Sequence, residues 1–313
     1  MPVLAYTKKM LEAIQHTPDI DEARRPLFEK FVHAIGRQIR PHYHKRHAPA
    51  KTVEQLVGVF ERFWGHSTDS VQINVEVSGR FLILTTVMAD QPFIVDTLRM
   101  QLQARGATNI TAFNAIVGVQ RSEAGVPTEI GSGPLESIIR MEVEGLEGCD
   151  TDAVIATLHD SLTLSRSMVQ DFLQMTDIVE AATFRFSRHA DRSPDNGDAY
   201  RETGEFLRWL LADNFVFMGV VHGDSHYGFA RDTNAERWPT AGLSDWAPCE
   251  GEPVQVRKGR RESPVHRSGR VDEIRVELPG DDRSRALIIQ GLFTYRALTQ
   301  PSRHVPLLRR VLG

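Results

Sequence analysis

Phe81-Leu-Ile-Leu-Thr-Thr-Val-Met88, then Ala89-Asp-Gln-Pro92, then Phe93-Ile-Val-Asp-Thr-Leu-Arg-Met100 is the stretch that decides the fold. The first eight residues are apolar and β-branched and predict a strand. Ala89 to Pro92 is a turn signal. From Phe93 to Arg105 the apolar residues Phe93, Ile94, Leu98 and Leu102 fall at helical spacing, and Gly106 follows where a C′ glycine belongs. Asn109 to Gln120 and Leu135 to Val143 are again strand-like. A polar loop with Gly125, Pro127, Gly131, Gly133 and Pro134 joins them. A helix from about Asp150 onward completes most of a split β-α-β unit of the ferredoxin-like kind. Just upstream, Val71 to Val77 alternates strictly between apolar and polar, the pattern of a half-buried strand. Ser78-Gly79 turns it into the Phe81 strand, which places it at a sheet edge.

Residues 1–67 predict a helical lead-in. Leu4, Met10, Leu11 and Ile14 form one helical stripe, and Leu27, Phe28, Phe31, Val32 and Ile35 a second that Pro41 ends. Val53, Leu56, Val57, Phe60 and Phe63 form a third, opened by Thr52 and Gln55 as a capping box. Three histidines lie in His42-Tyr-His-Lys-Arg-His47. Metal ligands need fixed geometry on ordered elements. A run between prolines among Lys45 and Arg46 is the composition of a solvated basic loop.

Asp150 to Met175 predicts one long helix or two abutting ones. Residues 187–202 are polar and turn-rich, a linker. A second α+β unit over 203–300 opens with a helix from Thr203 to Ala212. Strands are expected at Phe215–Val221, His226–Ala230, Val271–Leu278 and Arg285–Tyr295. Arg231 to Ser268 is rich in Pro, Gly and charge, long for a connection in a compact domain. Pro306, within 301–313, suits the first turn of a helix that has barely begun, the expectation being that the polypeptide is part of something longer.

A net charge of -4 and 41% hydrophobic residues describe an ordinary globular chain with no bulk attraction to nucleic acid or anionic membrane. No apolar run is long enough to span a bilayer and no signal peptide is evident, so a cytoplasmic location is expected. Cys149 and Cys249 lack the spacing of a zinc site or a disulfide framework and are expected as free thiols. The sequence has no GxGxxG after a strand, no GxxxxGK[ST], no HExxH and no GxSxG. No catalytic, cofactor-binding or metal residue is therefore assigned. Asp281-Asp282, Glu273 and Glu277 suit solvated positions, and Arg257-Lys-Gly-Arg-Arg261 a solvated loop. The aromatic stripe from Phe206 to Phe217 suits a core or the wall of a ligand pocket.

Three ordered motifs resemble the N-terminal regulatory region of the large bacterial NAD-specific glutamate dehydrogenases. Asp90-Gln-Pro-Phe-Ile-Val-Asp-Thr-Leu-Arg-Met100 with Leu135-Glu-Ser-Ile-Ile-Arg-Met-Glu-Val143 is similar to their first ACT-type domain. Glu205-Phe-Leu-Arg-Trp-Leu-Leu-Ala-Asp-Asn-Phe-Val-Phe-Met-Gly219 is similar to the next motif. Gly291-Leu-Phe-Thr294 through Arg303-His-Val-Pro-Leu-Leu-Arg-Arg310 is similar to a third, in the same order. The resemblance implies an α+β chain. Its parts are a helical lead-in (1–67), an ACT-type ferredoxin-like βαββα domain (70–186), a linker (187–202), and a mainly antiparallel, PAS-like domain (203–300). It also implies a non-catalytic regulatory or oligomerising role, with NAD and catalysis belonging to a C-terminal region of the parent chain. A homo-oligomer and an amino-acid effector are the implied partners, and a stand-alone amino-acid sensor is the alternative.

ACT-type domains commonly bind amino acids where the first strand meets the first helix. A glycine there admits the ligand's backbone approach. Here Phe93 stands in that place, which makes it a core anchor in expectation and leaves the sheet edge as the working surface. Asp90, Gln91, Phe93, Asp96 and Arg99 are the candidate effector or interface residues, with Asp90 also placed to cap the helix.

Overall fold

The computed structural model describes residues 3–15, 20–67, 70–231, 246, 253–280 and 286–308. Two compact units result, Met1–Thr163 and Leu164–Gly313.

The first unit is built on a four-stranded antiparallel sheet. Its strands are β1 (Gln72–Ser78), β2 (Phe81–Ala89), β3 (Asn109–Arg121) and β4 (Pro127–Glu144), in the order β1-β2-β4-β3. β2 and β3 both run antiparallel to β4 and are therefore parallel to each other. Helix α5 (Ile94–Ala104) makes the crossover between them, which is the split β-α-β unit read from the sequence. β1 occupies the edge beside β2, as expected from its alternation.

Both faces of this sheet are covered. Leu82, Leu84, Ile139, Met141 and Val143 point to one side, against Leu98 and Leu102 of α5 and Val154, Leu158 and Leu162 of α6 (Thr151–Gln170). Asp150 caps α6 by accepting from the backbone N–H groups of Asp152 and Ala153 at 3.0 and 3.1 Å. Val87, Phe113, Ala115, Val117 and Ile138 point to the other side. They meet the helical lead-in: α1 (Val3–Ile14), α2 (Arg25–Gly36), α3 (Pro41–His44) and α4 (Pro49–Trp64). Phe28, Phe31, Phe60 and Phe63 fill that second core and are fully buried.

Three expectations need correction here. The histidine run is not a solvated loop, because α3 buries Tyr43 completely and seats His44 against the Tyr6 ring, centroids 3.7 Å apart. The Thr52–Gln55 pair is not a capping box. α4 begins three residues earlier, at Pro49, and both side chains turn inward to Tyr6 and Tyr43. The polar loop expected after Gln120 is two separate features. A tight turn over Ser122–Val126 closes the β3–β4 hairpin, and a four-residue excursion, 131–134, lies between Ile130, paired with Val119, and Leu135, paired with Gly118. Gly133 is required there, since at φ +97° a Cβ would stand 2.6 Å from the Val119 carbonyl oxygen.

The second unit carries α7 (Phe172–Ala190), α8 (Gly197–Trp209) and an antiparallel sheet. Its strands are β5 (Phe215–His222), β6 (Ser225–Gly228), β7 (Val254–Glu262), β8 (Arg270–Glu277) and β9 (Ala286–Phe293), in the order β6-β5-β9-β8-β7. This is the mainly antiparallel α+β unit anticipated. α6 and α7 abut at Asp171, the second of the two helical alternatives. The stretch 187–202 is no extended linker: α7 runs to Ala190, α8 starts at Gly197, and Phe186 packs on Tyr200 across the turn. The Asp171 carboxylate holds the helix junction to β6, accepting from the Gly228 N–H at 2.7 Å and from Arg231.

Arg257–Arg261 is also no loop. It lies within β7, where Arg257 pairs with Glu273 at 2.7 Å and Lys258 with Asp272 at 2.6 Å. Glu273 is accordingly buried rather than solvated. Charge hid this strand, because Arg257 and Lys258 are offset by carboxylates 16 and 14 residues away that the local pattern does not reveal. Asp281, Asp282, Cys249 and the helix sought beyond Leu308 lie outside the described residues. Cys149 is a free thiol. Among the described residues no helix is long and apolar enough to cross a membrane.

Candidate functional site

The strand-to-helix turn at the end of β2 is the site that the sequence singles out. Asp90 is tied into the sheet on both its groups. Its N–H donates to the Leu135 carbonyl at 2.8 Å, and its carboxylate accepts from the Ser137 hydroxyl at 2.6 Å. It does not cap α5. That position belongs to Phe93, whose carbonyl accepts the first helical bond from Thr97 at 3.0 Å.

Phe93 stands in left-handed geometry, φ 72° and ψ 3°, and its ring is half-buried. The expectation of a core anchor fails for a geometric reason. Phe93 precedes the helix by one residue, so its Cβ leaves the stripe that Ile94, Leu98 and Leu102 bury. An aromatic residue at positive φ costs about 1–2 kcal/mol relative to its relaxed backbone. Asp96 lies exposed in the first turn of α5, where a carboxylate favours the helix dipole, and Arg99 is half-buried one turn on. Gln91 is half-buried beside Asp90. Asp90, Gln91 and Phe93 share the turn, and Asp96 and Arg99 belong to α5. Asp90 is committed to the sheet, and Asp96 and Arg99 lie along the helix rather than over the turn.

A second polar constellation lies between the sheet and the lead-in, and sequence reasoning missed it. β4 directs Glu136, Ile138, Arg140 and Glu142 to the helical side. Glu142 meets His47 at 3.0 Å and Arg140 at 2.6 Å, while the Tyr43 hydroxyl donates to Gln55 at 3.0 Å. Tyr6 closes the group by sharing a hydrogen bond with Thr52 at 2.7 Å and donating to the His47 carbonyl. Burial raises the Tyr6 and Tyr43 hydroxyls above their ordinary range. Burial also opposes the Glu142 charge, but hydrogen bonds from His47 and Arg140 outweigh it and leave the carboxyl below its ordinary value. The alternation Glu136, Arg140, Glu142 was visible, yet it reads as a solvated face until the helices are seen to cover it.

At the far end of the same face Arg121 grips Glu136 with two bonds of 2.8 Å, in a pair almost fully removed from water. The same guanidinium donates to the Gly125 and Phe63 carbonyls and lies over the Phe63 ring, 4.8 Å from its centroid. These groups hold the lead-in to the sheet.

The split β-α-β sheet of the first unit is the architecture of an ACT-type domain. Residues 42–162 match the ACT1 domain of glutamate dehydrogenase, the ACT-type domain that the sequence resembled. The chain is also similar to two NAD-specific glutamate dehydrogenases. That of Halomonas elongata is 27% identical over 258 residues, 71% of this chain and 16% of the relative. That of Pseudomonas aeruginosa is 27% identical over 249 residues, 70% of this chain and 15% of the relative. The chain therefore spans about one-sixth of the length of these relatives.

Proposed function

We propose that this chain is the non-catalytic regulatory and oligomerising segment at the N-terminus of an NAD-dependent glutamate dehydrogenase. The parent reaction is the oxidative deamination of L-glutamate to 2-oxoglutarate, with NAD held by a C-terminal catalytic region. The observation that carries this reading is the ACT1-type sheet itself, complete in one compact unit and matched over 42–162.

Phe93 argues against a small ligand at the first turn, because a bulky residue stands at the position where a glycine opens the turn to ligands. The sheet edge is the better working surface. Of the two edges, β3 is stapled by Gln38, whose side-chain amide donates to the Ile116 carbonyl at 2.8 Å and accepts its N–H at 3.0 Å. That amide imitates one rung of a neighbouring strand and blocks pairing there. β1 carries Val77 at 69% exposure and is the edge left to a second copy, and Asp96 and Arg99 of α5 are offered as further interface residues.

Two measurements test the reading. The purified chain should show no turnover of glutamate with NAD, and turnover would refute a non-catalytic role. Sedimentation should show self-association that Val77→Lys weakens; a strictly monomeric chain with micromolar affinity for an amino acid would instead favour a stand-alone sensor.

A further inference from the structure

The second unit contains an apolar cavity of about 370 Å³, within the usual range of small-molecule sites. Phe206 and Trp209 of α8, Phe293 of β9, and Ala297, Val305 and Leu307 from the segment after it form its walls. Among the described residues, none of the lining side chains is charged, and Gln300 and Ser302 are its polar members.

Gln300 is oriented by its neighbours. Its Oε1 accepts from the Trp209 indole N–H at 2.9 Å, and its Nε2 donates to Asn214 Oδ1 at 2.8 Å. Asn214 is fixed in turn by donating to the Trp209 and Ala212 carbonyls. A primary amide offers two N–H donors and two acceptor lone pairs. Those two bonds use one of each and leave one of each for a further partner.

The walls are held by uncommon backbone. Between α8 and β5 the chain leaves helical geometry at Ala212 and Asp213, the latter at φ 58°. Leu307 stands at φ 70°, its N–H donating to the Glu202 carboxylate at 3.1 Å. Strained non-glycine backbone of this kind gathers at ligand clamps.

We propose that this cavity is a binding site for a neutral, largely apolar ring compound with a single amide or carbonyl head that pairs with Gln300. Among the described residues the lining side chains offer no counter-charge for the two charges of a zwitterionic amino acid, which favours a neutral ligand. The site therefore takes a different chemical class from the amino-acid effectors associated with the ACT-type sheet.

Titration of the 313-residue chain with 1-naphthamide and 1-naphthoate tests this directly, since the two share one ring system and differ in charge. The amide should bind saturably at one site, and the carboxylate at least about tenfold more weakly. Gln300→Leu should weaken the amide about tenfold, as expected for loss of a hydrogen bond to a buried partner. Ala297→Phe should abolish binding by filling the space, with an unchanged melting profile as the control; Val305→Trp serves if Ala297→Phe fails to fold. Absence of saturation with the amide, equal affinity for the carboxylate, or undiminished binding by the folded filling variant would overturn the proposal.

Discussion

Arg121→Met tests how the helical lead-in is attached to the sheet. In the native unit the guanidinium makes two 2.8 Å bonds to Glu136, one of 2.8 Å to the Gly125 carbonyl and one of 2.9 Å to the Phe63 carbonyl. Glu136 is 0% exposed, so removing Arg121 leaves a carboxylate charge in the core with no partner. Breaking such a buried pair from one side costs about 3–5 kcal/mol. In a unit of this size each kcal/mol lowers Tm by about 2–4 °C, which gives a fall of about 6–20 °C. Urea denaturation followed by circular dichroism measures the loss. The companion variant Arg121→Met with Glu136→Met removes the orphaned charge. It should recover stability to within about 2 kcal/mol of the native chain, the residue being the two carbonyls still unpaired. A single variant costing under about 1 kcal/mol, or a double variant no more stable than the single, would refute this account of the joint.

Three further outcomes follow from the geometry. At position 93 the left-handed backbone makes Phe93→Gly more stable than Phe93→Ala by about 1 kcal/mol, measured by the same denaturation; equal stabilities would show that the turn relaxes out of that geometry. Glu142 has its carboxyl held below the ordinary 4.5, so the unfolded chain binds more protons in that range and the native state loses stability as pH falls through the folded value. Glu142→Gln should flatten that acid limb of the stability profile while lowering stability at neutral pH, and an unchanged limb would count against it. In the second unit, a Cβ on Gly291 would sit 2.0 Å from the Val216 carbonyl oxygen and 2.5 Å from the Phe215 ring, so Gly291→Ala should cost about 1–3 kcal/mol. Hydrogen exchange should localise that loss to β5 and β9.

Much of the first unit was legible because its signals are local. The 81–106 stretch carries a strand, a turn and a helical stripe in sequence, and each lies where the pattern puts it. The sequence shows that Phe93 departs from a glycine, but not where its side chain goes. Whether a side chain before a helix reaches the core depends on the φ of one residue, which no apolar pattern encodes. The composition around His44 and His47 is that of a solvated loop, whereas stacking on Tyr6 and Tyr43 draws both inward. β7 was missed because Arg257 and Lys258 look like a loop until β8 supplies Glu273 and Asp272.

The sequence by itself determined which segments become strands and helices in the ACT-type unit, and the ordered motifs that relate the chain to glutamate dehydrogenases. Periodicity and turn chemistry act over a few residues, so they survive in one dimension. Only the tertiary structure decided what each polar face meets. Glu136, Arg140 and Glu142 alternate as a water-facing row would, yet the lead-in helices cover them and force them into pairs. Gln38 closes one sheet edge across 78 residues of chain, and Trp209, Asn214 and Gln300 meet around a cavity across about ninety. Contacts of that range are set by how whole elements pack, and burial, which fixes the energy of every charge involved, exists only after they have done so.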